Sequence, residues 1–261
     1  MNLDNVRKKL HGPIFPTITP FKEGPDYEVD YESLKEYVDF LYDAGARAFY
    51  VMTYNGRFSL LSWDEMKKVN ETVTKHAKSK DEDCVVIVAD PMTNPTNVSI
   101  EFAQHAESIG ADVISCIFME RYHHDDQVYD HFKAVADSTN IGILIHEQML
   151  EGIHGRWLYS IDLFNNMGCQ AHLVGVASFL PKVAFNFHDA YNKGDYETAW
   201  GIINELERPF FDIGMRFGWH PVLKSGLQNL NIMSQTERPQ EQQKEVEQVL
   251  DEMRQSQYWE E

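Results

Sequence analysis

The chain has 261 residues, 43% hydrophobic and 25% charged, which is enough apolar material for one large domain or two small ones. Its 41 acidic against 23 basic residues give a formal charge of −18, which excludes a basic nucleic-acid surface at whole-chain level and disfavours anionic membranes. Cys84, Cys116 and Cys169 are too scattered for a disulfide framework or a zinc motif. No apolar run approaches a membrane span, and the opening MNLDNVRKKLHG lacks a signal-peptide core, so a cytoplasmic location is expected.

The chain then alternates short apolar runs with longer amphipathic ones. Residues 14–18 read as a first strand ended by Pro20. Leu34, Val38 and Leu41 mark a helix over Tyr31–Leu41, stopped by Gly45. Ala48–Met52 is a second strand. Ser62, with Glu65 three residues on, is the signature of a capping box opening the next helix. Cys84–Ala89 is a third strand, apolar throughout and therefore buried on both faces. A helix over Asn94–Ile109 ends at Gly110. Asp112–Phe118 is a fourth strand, Gln127–Asp137 a helix, Ile141–Ile145 a fifth strand, Trp157–Met167 a helix and Leu173–Ala177 a sixth strand.

Beyond Phe179 no clear strand remains. Helical stretches are expected at Pro181–Asn192, Tyr196–Arg216, around His220–Leu230 and at Gln240–Met253. Alternating βα units with apolar strands imply a parallel α/β sheet covered by helices. Two architectures fit: an open doubly wound sheet, or a (β/α) barrel. No glycine-rich dinucleotide fingerprint follows the first strand.

The residue pattern resembles the dihydrodipicolinate synthase / N-acetylneuraminate lyase family of TIM-barrel aldolases. Gly12-Pro13-Ile14-Phe15-Pro16-Thr17-Ile18-Thr19-Pro20-Phe21 is similar to its opening strand. Thr53-Tyr54-Asn55-Gly56-Arg57 and Leu61-Ser62-Trp63-Asp64-Glu65 stand where the family has Gly-Thr-Thr-Gly-Glu and Leu-Ser-x-Glu-Glu. Gly175-Val176-Ala177-Ser178-Phe179-Leu180-Pro181 and Lys193-Gly194-Asp195-Tyr196 are similar to its last strand and following helix, and Lys224 and Arg238-Pro239 to its C-terminal helices. The resemblance implies a TIM-type (β/α) barrel, and the count of about six βα units, where a complete barrel has eight, leads us to expect an incomplete one. Residues 1–180 would form the barrel or partial barrel, and residues 181–261 a helical region packed on it.

The same resemblance implies a lyase in which a strand-borne lysine forms a Schiff base with a 2-oxo acid. No lysine stands at the matching place. Lys22 and Lys182, the two near strand ends, read as an open loop residue and a helix start; most of the lysines read as solvated surface on amphipathic helices or in polar turns. The family's relay tyrosine aligns with His146. Its carboxylate-holding arginine has only Glu151 nearby, and its tyrosine pair is replaced by Phe118-Met119-Glu120. The two threonines of its Thr-Thr-Gly-Glu become Tyr54 and Asn55, and the loss of lysine, relay tyrosine, arginine and threonine together points away from the family's usual route.

The functional face of such a sheet lies at the carboxyl ends of its strands. His146, Glu147 and Tyr54 are the candidate catalytic residues there, with His146 able to act as a general base at the mouth. Thr53, Asn55, Arg57, Glu120, Arg121 and Ser178 are candidates for binding substrate, the arginines as anchors for an acid. His123-His124-Asp125-Asp126 reads as a loop with an aspartate N-cap, and Asp90 as a turn residue.

Three readings follow. The first is a divergent aldolase or lyase acting on a small 2-oxo acid or sugar acid. The second is a non-catalytic ligand-binding or structural relative. The third is a metal-assisted enzyme using Asp90, Glu120, His124, His146 and Glu147. No cofactor is expected. The expected partners are a small carboxylic or sugar acid and further copies of the chain in a homo-oligomer, with no nucleic acid and no membrane.

Overall fold

The computed structural model describes residues 3–52, 54–91, 95–118, 124–146, 165 and 168–238. A short helix, α1 (Leu3–Lys9), opens the fold where the sequence suggested only a polar lead, and an ion pair between Lys9 and Asp83 ties it down. The strands are β1 (Gly12–Pro16), β2 (Ala48–Tyr50), β3 (Val85–Ala89), β4 (Val113–Cys116), β5 (Gly142–Ile145) and β6 (Ala171–Leu173). They form one parallel sheet in the order β5-β4-β3-β2-β1-β6.

That order decides between the two architectures. Each step from β1 to β5 adds a strand on the same side, which puts successive crossover helices on one face. β6 then returns to pair with β1, Gly12 opposite Ala171 and Ile14 opposite Leu173. In a flat sheet that step would cross four strands; in a sheet curled into a half-barrel it is short. This is the place the resemblance assigns to the last strand.

Local chemistry sets the helices. In α2 (Tyr31–Asp43), Asp30 caps the start by accepting from the Ser33 amide at 3.2 Å, and Leu34, Tyr37, Val38 and Leu41 bury one face. In α3 (Trp63–Lys80) the expected capping box is present: Ser62 Oγ accepts from the Glu65 amide at 3.2 Å and the Glu65 carboxylate accepts from the Ser62 amide at 2.9 Å. α4 (Thr96–Ser108) and α5 (Asp125–Asp137) follow β3 and β4. Neither Asp125 nor Asp126 caps α5, as the sequence had suggested. His124 does, its Nδ1 accepting from the Asp126 amide at 3.3 Å while Gln127 accepts from the His124 amide. All five residues of β3 are buried, and Phe15, Phe49, Val86, Val88 and Ile114 are fully enclosed in one core.

The sixth strand differs from expectation. β6 ends at Leu173, and Gly175–Ser178 form a 3-10 turn instead of strand. α6 (Pro181–Asn192) matches its expected bounds, with proline in the first turn where a missing N–H is harmless. The expected helix over 196–216 is a continuous run in three parts: α7 (Tyr196–Ile202), a π turn (Ile203–Glu207) and α8 (Arg208–Phe217). Pro209 has no N–H to donate and its ring crowds the preceding turn, which accounts for the widened geometry there. α9 (Trp219–Asn229) is the last helix among the described residues. Arg238 lies in an irregular segment after it, not in a helix. Apart from residue 165, the expected helix Trp157–Met167 lies outside the described residues, as does Gln240–Met253. Among the described residues no helix is long and apolar enough to cross a membrane.

Candidate functional site

Two polar side chains inside apolar strands mark the site. Tyr50 ends β2 and Ser115 lies in β4; both are buried. Their hydroxyl oxygens are 2.5 Å apart, and the Tyr50 hydroxyl also lies 2.9 Å from Nδ1 of His146. His146 directly follows β5, and its amide extends the β4–β5 ladder by donating to the Cys116 carbonyl. A Ser115–Tyr50–His146 chain therefore runs along the carboxyl ends of β4, β2 and β5. Burial pushes the Tyr50 phenol up, so it stays protonated and can donate as well as accept. The Tyr54 ring meets His146 edge-on, with centroids 6.5 Å apart, and desolvation raises its phenol too.

The turn after β2 carries Tyr54, Asn55 and Arg57. Met52 and Arg57 both hold positive φ, 60° and 58°, which costs a side-chain-bearing residue on the order of 1–2 kcal/mol. Outside contacts hold the turn in place. Thr19 donates to the Gly56 carbonyl at 2.7 Å, and Trp219 donates its indole N–H to Asn55 Oδ1 at 2.9 Å. Asn55 Nδ2 reaches Ser178 Oγ at 3.4 Å, and Tyr37 donates to the Ser178 carbonyl at 2.9 Å. The structure thus brings Tyr54, Asn55, Ser178 and His146 to one end of the sheet.

Arg57 makes an ion pair with Glu237 at 2.6 Å and donates to His220 Nδ1 at 3.2 Å. Asp90 is fully buried after β3 and accepts from Ser99 at 2.5 Å. Burial, and then the charge of Asp90, push the neighbouring Cys116 thiol up. His124 is exposed at the start of α5, whereas Asp90 is buried. Among the described residues no group of three His, Cys, Asp or Glu side chains could hold a metal ion. Thr53, Glu120, Arg121, His123 and Glu147 lie outside the described residues.

The lysines divide clearly. Lys22 pairs with Glu28 at 3.6 Å on the surface, and Lys182 is exposed on α6. Lys224 corrects the expectation of a solvated residue. It is fully buried, 2.7 Å from Glu237 and 2.6 Å from the Thr236 carbonyl, with its ammonium over the Phe21 ring. Desolvation lowers its pKa, and Glu237 opposes that shift.

Sequence reasoning missed Tyr50, Ser115, Trp219, His220 and Lys224 as parts of this region. A serine inside an otherwise apolar strand was the one local signal available; the other contacts span the chain.

The comparisons with known proteins agree with this fold. The profile of the dihydrodipicolinate synthetase family matches residues 9–148. A 4-hydroxy-tetrahydrodipicolinate synthase of Bradyrhizobium diazoefficiens is 34% identical over 246 residues, covering 77% of this chain and 80% of that one. The synthase of Aquifex aeolicus is also 34% identical, but over 52% of this chain and 45% of its own. Like that enzyme, other curated relatives are matched over less than half their length, 44% for one from Pyrococcus furiosus. Among solved structures, dihydrodipicolinate synthase of Oceanobacillus iheyensis superposes with a TM-score of 0.79 at 16% identity, over 97% of this chain and 99% of that chain. A prophage protein of the same family from E. coli K12, solved in complex with pyruvate, gives 0.75 at 19% identity over 94% and 99%. With its profile match over more than half its residues, the chain belongs to the dihydrodipicolinate synthetase family.

Proposed function

We propose that the chain binds a small 2-oxo acid or sugar acid at the carboxyl ends of its strands, as a divergent lyase of its family. The Tyr50–His146 hydrogen bond carries the reading. It places a phenol and an imidazole at the mouth, with Ser115 behind the phenol, so a proton can be held or passed there. Tyr54 and Asn55 would line the pocket beside them. His146 would deliver a proton to, or remove one from, a ligand carbon or oxygen, and Tyr50 would hold its ring in orientation.

The family's Schiff-base route is not part of this proposal. Among the described residues, Lys224 is spoken for by Glu237, while Lys22 and Lys182 are on the surface. The same inventory favours a second reading, a relative that binds the acid without turning it over.

Pyruvate is the first probe. Thermal unfolding with and without millimolar pyruvate should show stabilisation by the bound acid. Borohydride added to the mixture should leave the chain at its unmodified mass. A lysine adduct would restore the family route, and no stabilisation by pyruvate or by a sugar acid would remove the proposal. Turnover of a stabilising ligand, lost in His146→Gln, separates the enzyme from the binding protein.

A further inference from the structure

The turn that carries Tyr54 and Asn55 is gripped by two consecutive residues of a helix more than 160 positions away. Trp219 donates its indole N–H to Asn55 Oδ1 at 2.9 Å, and His220 Nε2 lies 2.6 Å from the Tyr54 carbonyl. The partners of His220 fix its form. A carbonyl can only accept, so Nε2 carries the proton. A guanidinium can only donate, so Nδ1, 3.2 Å from Arg57 Nη1, is bare. The imidazole is therefore the neutral Nε2–H tautomer. Burial and the Arg57 charge favour that form, lowering the ring's pKa to about 4.

Arg57 is held in turn. One oxygen of Glu237 pairs with Arg57 at 2.6 Å and the other with the buried Lys224 at 2.7 Å. The indole has a built seat. A Cβ on Gly175 would lie 2.2 Å from the Trp219 ring and one on Gly214 3.1 Å from it, so both glycines leave room for the ring. Phe210 closes the seat edge-on at 4.9 Å.

We infer that Trp219 and His220 are positioning residues, a clasp that holds the 3-10 turn Tyr54–Gly56 and the left-handed Arg57 after it, and so sets Tyr54 and Asn55 at the site. The clasp bears directly on Arg57, whose positive φ it helps to hold. Its consequence for ligand binding rests on the function proposed above; its consequence for the turn does not.

Hydrogen exchange read by NMR on the full chain tests it without ligand. The Arg57 amide, which donates to the Tyr54 carbonyl, reports the turn, and the Val86 amide in β3 reports the core. His220→Ala should speed exchange at Arg57 by about tenfold, the worth of one lost hydrogen bond, and leave Val86 unchanged. His220→Gln, which keeps an N–H donor and an acceptor, should restore protection. Exchange at Arg57 that is unchanged in His220→Ala, or a glutamine variant that behaves like alanine, would overturn the inference. If His220→Ala does not fold, Trp219→Phe decides: it keeps the ring in its seat, removes the donor, and should loosen the turn selectively. Unchanged exchange at Arg57 in that variant would also overturn the inference. Pyruvate affinity should fall in His220→Ala and recover in His220→Gln. Pyruvate that binds no form, wild type included, would count against the proposed ligand, with the exchange data still deciding the clasp.

Discussion

Tyr50 and His146 lie 96 positions apart and are joined by a 2.9 Å hydrogen bond between the phenol and Nδ1. The bond spans from β2 to the end of β5, with β3 and β4 between them in the sheet. Only a curled sheet can close that distance, so the contact depends on the half-barrel curvature.

A double-mutant cycle measures it. Tyr50→Phe should cost about 1–3 kcal/mol of unfolding free energy, because it strips a buried partner from Ser115. His146→Ala alone should cost less, because that ring is half-buried. The two should be non-additive by about 0.5 kcal/mol or more when paired in urea unfolding. Strict additivity would mean that the two side chains do not interact.

Gly175 offers a second test. A Cβ there would stand 2.2 Å from the Trp219 ring, too close for any small adjustment. Gly175→Ala should therefore cost about 1–3 kcal/mol, typical of overpacking in a filled core. It should also shift the indole N–H resonance as its bond to Asn55 is displaced. An alanine variant with wild-type stability and an unmoved indole signal would show that the seat can yield.

These residues also mark how far the sequence could be read. The all-apolar run of β3, the Ser62–Glu65 box and the bounds of α6 were legible because each depends on residues within a few positions. The α5 cap was misassigned because an aspartate is the commoner cap, yet His124 supplies its own Nδ1 acceptor. Residues 175–177 read as the end of a strand because they continue an apolar run. The Gly175 backbone instead turns under the Trp219 ring, a contact 44 positions away. Of the site, His146, Asn55 and Ser178 were legible from their places at strand ends. Tyr50 and His220 were not, because their partners lie far along the chain. Lys224 looked like an ordinary helix lysine, since its burial depends on Phe21 and Glu237.

Among the described residues five histidines, His105, His131, His172, His188 and His220, are held below their ordinary pKa by burial and make stability depend on pH, His172 and His220 the most. Burial, and then the neighbouring His188, lower the pKa of His172 to about 3; burial and Arg57 lower that of His220 to about 4. In the unfolded chain each takes a proton near pH 6.5. Below that pH the unfolded state binds more protons than the folded one, so stability falls as pH drops from 6.5 toward 4 and then 3. Each group should contribute a slope on the order of 1 kcal/mol per pH unit. The range from 6.5 to 5 lies above the ordinary carboxylate range and isolates the histidines. His172→Phe should reduce the slope of the urea-midpoint profile there by its own share, on the order of 1 kcal/mol per pH unit, and a variant with the wild-type slope would place the acid sensitivity elsewhere.

Arg238 joins the end of the described chain to the start of α3. Its guanidinium bonds both carboxylate oxygens of Glu65, at 2.8 and 3.0 Å, and also the carbonyls of Tyr27 and Leu60. Glu65 is simultaneously the second half of the α3 capping box. Arg238 is the largest cause of the lowered Glu65 pKa. This stabilisation is complete above the ordinary carboxylate pKa of about 4.3 and is lost as pH falls through the depressed value. Lysine cannot reproduce a planar fork serving four acceptor atoms. Arg238→Lys should cost about 1–3 kcal/mol at neutral pH, and the difference from wild type should shrink in acid as Glu65 protonates. A constant difference across pH 7 to 3 would mean that the arginine acts through the Tyr27 and Leu60 carbonyls and its packing on Phe21, and not through Glu65.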